Sequence, residues 1–168
     1  MRRIYFDLDG VAAVWSWVGP DVWMEQEGYY ANRPIDTAIA DAMSILSEDD
    51  DVELFIASKY VLERHKNEKE TFVDKLVDKN GNKIFDKNHR LFIPYESDKS
   101  SVVDFAGAVL VDDWNNNLFD CEKQGGVAVK YLNGENNGSG EWKGFTVCHT
   151  SSGSAIAATL KAFAREAA

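Results

Sequence analysis

The sequence predicts an α/β fold, a Rossmann-like, doubly wound and mainly parallel sheet. Three observations predict it: short apolar runs that stop at acids or glycine, helical stripes between those runs, and alternation of the two along the whole chain. Near-continuous apolar strands with intervening helices belong to parallel sheets covered on both faces.

The first run, residues 3–7 (RIYFD), halts at Asp7-Leu8-Asp9-Gly10 and reads as a buried strand. Residues 52–58, 91–94, 108–113 and 127–132 repeat the pattern. In 35–46, Ile35, Ala38, Ile39, Ala42, Met43 and Leu46 line one helical face, with Pro34 at the start, where a missing N–H costs nothing. A stripe of Phe72, Val73, Leu76 and Val77 predicts a helix over 61–79. Ile156, Leu160, Phe163 and Ala164 predict another over 154–166, capped by Ser152 or Ser154.

Two segments depart from this layout. Residues 11–33 carry Trp15, Trp17, Trp23, Tyr29 and Tyr30, too many rings for a plain connector. Residues 80–90 read as an excursion turning at Asn80-Gly81, and the Gly/Asn-rich 133–144 as an irregular loop or hairpin. A length of 168 residues is expected to form a single domain, 1–168, with a small aromatic-rich cap at about 11–33.

Composition narrows the function classes. With 45% hydrophobic and 27% charged residues the chain is an ordinary globular one. A net charge of −10 argues against duplex nucleic acid as partner, since phosphate backbones are bound by clustered Lys and Arg. No apolar run approaches the roughly 18 residues of a membrane span. The start MRRIYFDLDG reaches Asp7 before any apolar leader region forms, and the two cysteines, Cys121 and Cys148, build no disulfide framework. A cytoplasmic setting is the expectation.

In doubly wound sheets ligands bind beyond the carboxyl ends of the strands. On this reading Asp7 and Asp9 end the first strand, Ser58 the second and Asp112-Asp113 the fourth, with Lys99 shortly before it. Four acids on one sheet edge repel unless a counter-charge joins them. Mg²⁺, a hard cation that takes oxygen ligands, suits carboxylates, a carbonyl, waters and a substrate phosphate.

At these residues the chain resembles the haloacid-dehalogenase-type phosphohydrolases. FDLDGV matches the first motif of that superfamily, and FIASK places Ser58 at the second. DKSSVV places Lys99 at the third, and VLVDDW places Asp112 and Asp113 at the fourth. The run DKSSVVDFAGAVLVDDWNNNL, followed by GGVAVKYLNG, looks most like the 5′(3′)-deoxyribonucleotidase branch.

The resemblance implies roles. Asp7 would attack phosphorus and carry an aspartyl-phosphate, dividing one hard displacement into two. Asp9 would act as acid and then base, its backbone carbonyl reaching Mg²⁺; alternate residues of an extended strand point the same way, so both carboxylates can face one phosphate. Ser58 and Lys99 would hold phosphoryl oxygens. Asp113 is the preferred direct metal ligand, and Asp112 the partner that orients a metal-bound water or Lys99.

The expected activity is that of a Mg²⁺-dependent phosphomonoesterase, with (deoxy)nucleoside monophosphates as substrates and Trp15 and Trp17 offering a base-stacking surface. The other reading of those rings is a small core beneath the cap. A cap this short departs from the larger helical caps of the resembled branch and leaves the site open. Open access suits another small phosphate ester or a phosphorylated macromolecule end, and a second copy in a homo-oligomer could supply cover. From a different class, a non-catalytic phospholigand-binding protein would need the same residues without turnover.

Overall fold

The computed structural model describes residues 1–136 and 140–167. Strands β1 (Arg2–Phe6), β2 (Val52–Tyr60), β3 (Arg90–Pro94), β4 (Val109–Asp112), β5 (Val127–Leu132) and β6 (Phe145–Cys148) form one parallel sheet in the order β3-β2-β1-β4-β5-β6. The α/β, doubly wound architecture is therefore present. The chain runs outward from β1 to β3, then crosses back to place β4 on the other side of β1. That reversal opens a crevice beyond the carboxyl ends of β1 and β4.

Alternation along the strands sorts side chains between two layers. Ile4, Phe6, Leu54, Ile56, Val109 and Val111 face α2 (Thr37–Leu46), α3 (Glu63–Val73) and α5 (Gly153–Glu166). Tyr5, Ala57, Ile93 and Leu110 face the opposite way, toward α4 (Asn115–Lys123) and the segment carrying Val103 and Phe105. A single turn of helix, α1 (Pro20–Trp23), lies in the aromatic segment after β1. Among the described residues no helix is long and apolar enough to cross a membrane.

Several boundaries differ from the sequence expectation. Helix α2 starts at Thr37, not beside Pro34, because the Asp36 carboxylate caps it by accepting from Ala38 and Ile39 N–H groups. Helix α3 stops at Val73, short of residue 79. Beyond it the Asp78 carboxylate accepts from the Asn80 and Asn82 N–H groups at 2.8 Å each, and Gly81 adopts a φ of 82°. This turn chemistry captures the chain although Leu76 remains buried. The Asn80-Gly81 turn is thus present, closed by a single antiparallel bridge between Val77 and Lys83. Strand β2 runs two residues past Ser58 and pairs with β3 through Tyr60 and Pro94.

Helix α4 and strand β6 have no counterpart in the sequence expectation. The three asparagines that open α4 are poor helix formers, and only Leu118 and Cys121 are buried along it. Strand β6 has four residues, with Val147 as its buried one. The Gly/Asn-rich stretch expected over 133–144 falls partly on 137–139, which lie outside the described residues.

Candidate active site

Asp7 follows β1 directly and is fixed by its N–H, which donates to the Val111 carbonyl of β4 at 2.9 Å. The chain then turns tightly: the N–H groups of Val11 and Ala13 both donate to the Leu8 carbonyl. Gly10 makes this turn with a φ of 78° and lies so close to Asp113 that a Cβ there would stand 2.1 Å from Asp113 Oδ2. Only glycine satisfies both the left-handed backbone and the close approach.

Lys99 joins the two strand ends. It sits in a 3₁₀ turn over Lys99–Ser101, 2% exposed, and its ammonium donates to Asp7 Oδ1 at 2.8 Å and to Asp112 Oδ2 at 2.6 Å. Asp112 is fully buried and accepts also from the Trp114 N–H and the Asn117 amide. Asp113 accepts at Oδ2 from Asn133, whose amide also donates to the Gly10 carbonyl. Asp7, Asp112 and Asp113 each offer an oxygen within 4.8 Å of the others. The separation of Asp7 from Asp113 therefore allows both to share one ion.

Electrostatics mark the same place. Burial pushes the Asp7 carboxyl up to about 6 against the pull of Lys99. Burial, with the charges of Asp112, Asp7 and Asp9, pushes Asp113 up to about 8. Burial would lower the Lys99 ammonium, but the carboxylates of Asp112 and Asp7 outweigh it and hold it above the ordinary lysine range. Carboxyls crowded until they retain protons form a hard-oxygen donor set that a divalent cation relieves, so the residues present fit Mg²⁺. The Asp9 side chain is not part of that oxygen cluster.

Asp9 and Ser58 lie instead on a second cation, Lys69. This lysine is 3% exposed; its ammonium donates to Asp9 Oδ2, to the Lys59 carbonyl and, at 3.2 Å, to Ser58 Oγ. Arg33 Nη1 stands 3.5 Å from Asp9 Oδ1, and the guanidinium also donates to the Val14 carbonyl. Each Asp9 oxygen thus faces a positive charge. Sequence reasoning missed both cations. A signal for Lys69 existed: His65, Glu68 and Lys69 fall in helical phase with the apolar Phe72 and Val73, and all five are buried on α3. A charge on the inward face of a helix has to find a partner. For Arg33 no comparable signal stands out.

The aromatic segment organises around these cations rather than forming a core of its own. None of its five rings is buried. Trp15 and Tyr29 lie 5.5 and 5.4 Å from the Arg33 guanidinium, and Tyr30 4.8 Å from the Lys69 ammonium. Trp17 meets Trp15 edge-on and is 74% exposed. The segment is strapped to α3 and the turn after it: Glu68 accepts from the Gly28 and Tyr30 N–H groups, and Arg64 and Lys75 donate to the Met24 and Ala31 carbonyls. Trp114, which follows Asp113 in the chain, is exposed.

No protein-family model matches the chain, and no curated protein matches it. A solved structure does. The D,D-heptose 1,7-bisphosphate phosphatase from B. bronchiseptica, complexed with magnesium and phosphate, covers 96% of this chain and 99% of its own. The TM-score is 0.65 and the identity 17%. What the two share is the fold. The likeness spans nearly the whole of both chains.

Proposed function

We propose that this protein is a Mg²⁺-dependent phosphomonoesterase working through an aspartyl-phosphate on Asp7. The observation that carries the reading is the convergence of Asp7, Asp112 and Asp113 within 4.8 Å at the strand ends, with Lys99 bridging Asp7 and Asp112. Asp7, the Asp9 carbonyl and Asp113 would hold the ion, while Asp112, bonded to Lys99, Trp114 and Asn117, orients that lysine. A bound Mg²⁺ supplies positive charge to the phosphoryl oxygens.

The Asp7 carboxylate attacks phosphorus, and the ester P–O bond breaks as Asp9 gives its proton to the leaving alkoxide. Asp9 then takes a proton from water. The resulting hydroxide displaces Asp7 and releases inorganic phosphate. Ser58 and Lys99 bind phosphoryl oxygens throughout and offset charge as it shifts.

The preferred substrates are (deoxy)nucleoside 5′-monophosphates, with the exposed Trp17, edge-on to Trp15, as a stacking surface for the base. The fold likeness to a heptose bisphosphate phosphatase favours a second reading, a phosphorylated sugar. A phosphate-release panel of nucleotides, sugar phosphates and an aryl phosphate, run with Mg²⁺ and with chelator, separates them. Turnover that survives chelator overturns the metal site. Preference for sugar phosphates overturns the nucleotide assignment and leaves the reaction class standing.

A further inference from the structure

We propose that Lys69 is a second phosphate-binding cation, which holds Asp9 and the phosphoryl group on one ammonium and so sets the distance between them. The inference rests on the phosphotransfer reading above and assigns a residue outside the four motifs that suggested it.

An ammonium has three N–H donors. In Lys69 they go to Asp9 Oδ2, to the Lys59 carbonyl and to Ser58 Oγ. The third is the exchangeable one. At 3.2 Å it is the longest of the three, and its acceptor is a neutral hydroxyl rather than a carboxylate or a backbone carbonyl. A phosphoryl oxygen about 2.7–2.9 Å from both Ser58 Oγ and Lys69 Nζ fits over that gap with ordinary hydrogen-bond lengths. Ser58 then turns its O–H to the phosphate, and the third N–H of Lys69 is shared between Ser58 Oγ and the phosphoryl oxygen. The contacts to Asp9 and the Lys59 carbonyl persist.

The placement is built rather than incidental. Lys69 is almost wholly buried, and the Tyr30 ring covers it at 4.8 Å. The neighbouring Glu68 accepts from the Gly28 and Tyr30 N–H groups and pairs with Arg64 at 3.5 Å rather than with Lys69. A buried ammonium has its strongest claim on a dianion, because charge-assisted hydrogen bonds in a dry site are roughly twice as strong as neutral ones. Lys99 holds Asp7 and Asp112 rather than Asp9, and keeps one N–H for the phosphoryl group.

The test compares wild type with Lys69→Met, which keeps the length of the buried stem and removes the charge. Inorganic phosphate binding in the presence of Mg²⁺ is measured by calorimetry, and KM and kcat are measured with an aryl phosphate. The proposal expects phosphate Kd and KM both to rise by about tenfold or more, with kcat reduced as well. Unchanged Kd and KM, with only a lower melting temperature, would show a structural lysine and overturn it. Should Lys69→Met fail to melt cooperatively, the Lys69 ammonium resonance of wild-type protein is followed during phosphate titration, and no shift at saturation overturns the proposal. If wild type binds phosphate but hydrolyses nothing, the phosphatase reading falls while the phosphate titration still decides Lys69. If wild type turns over and Lys69→Met keeps its Kd and KM, the phosphatase reading stands and the role of Lys69 falls.

Discussion

Lys99 Nζ stands 2.8 Å from Asp7 Oδ1, an ion pair formed across 92 positions of chain, and the same nitrogen bonds Asp112. Removing it leaves two buried carboxylates facing each other. Lys99→Met is expected to cost about 3–5 kcal/mol of stability, the penalty for breaking a buried pair from one side. Chemical denaturation of the metal-free protein measures it, and a midpoint equal to wild type would contradict the bridge.

Asp7→Asn keeps the shape of the side chain and loses the nucleophile. Phosphate release is expected to fall by at least about 10³-fold, while phosphate binding with Mg²⁺ stays largely intact. Steady turnover by this variant would exclude the aspartyl-phosphate route.

The raised carboxyls make metal-free stability depend on pH. Asp113 at about 8 and Asp7 at about 6 both lie above their ordinary value of 3.8. Between those values the folded chain holds protons that the unfolded chain has released, so stability falls as pH rises. The melting temperature of metal-free protein should therefore drop between about pH 5 and about pH 8.5. Stabilisation by Mg²⁺ should grow over the same interval, and binding near neutrality should release protons, measurable by calorimetry in buffers of different ionisation enthalpy. A metal-free melting temperature that rises through this interval would refute the assignment.

Gly10→Ala places a methyl group against Asp113 in a backbone conformation that alanine avoids. A stability loss on the order of 1–3 kcal/mol is expected from the strain, with weaker Mg²⁺ binding because Asp113 must shift. Wild-type metal affinity in this variant would show that Asp113 is not a ligand.

Trp17→Ala should leave stability within about 0.5 kcal/mol, since the ring is exposed. It should raise KM for a nucleotide by roughly fivefold or more if the base stacks there, with KM for an aryl phosphate unchanged. Equal effects on both substrates would argue against stacking.

Much of this site is legible in the sequence because its parts stand at strand ends. A strand that stops at an acid reports its own C-terminal edge, so Asp7 and Asp112-Asp113 can be placed together from pattern alone, whereas β2 runs on past Ser58 to Tyr60. Lys99 is reached only through its short motif. Lys69 is not reached, because an apolar stripe defines the expected helix and the inward charges riding on that stripe look like ordinary surface. Strand β6 and helix α4 escape for the opposite reason. Each is short, and neither carries enough buried apolar residues to set a period, so the neighbouring sheet and not local sequence decides its form.

The ties from Glu68, Arg64 and Lys75 reach backbone atoms of residues 24–31, so they hold whatever side chains that loop displays. Rings on such a loop can be exchanged without unfastening it. On the proposed activity, substitution at Tyr29, which lies within the fastened stretch, should alter which leaving group is preferred while the acids beneath stay in place, and a library varied there is the economical route to new specificity.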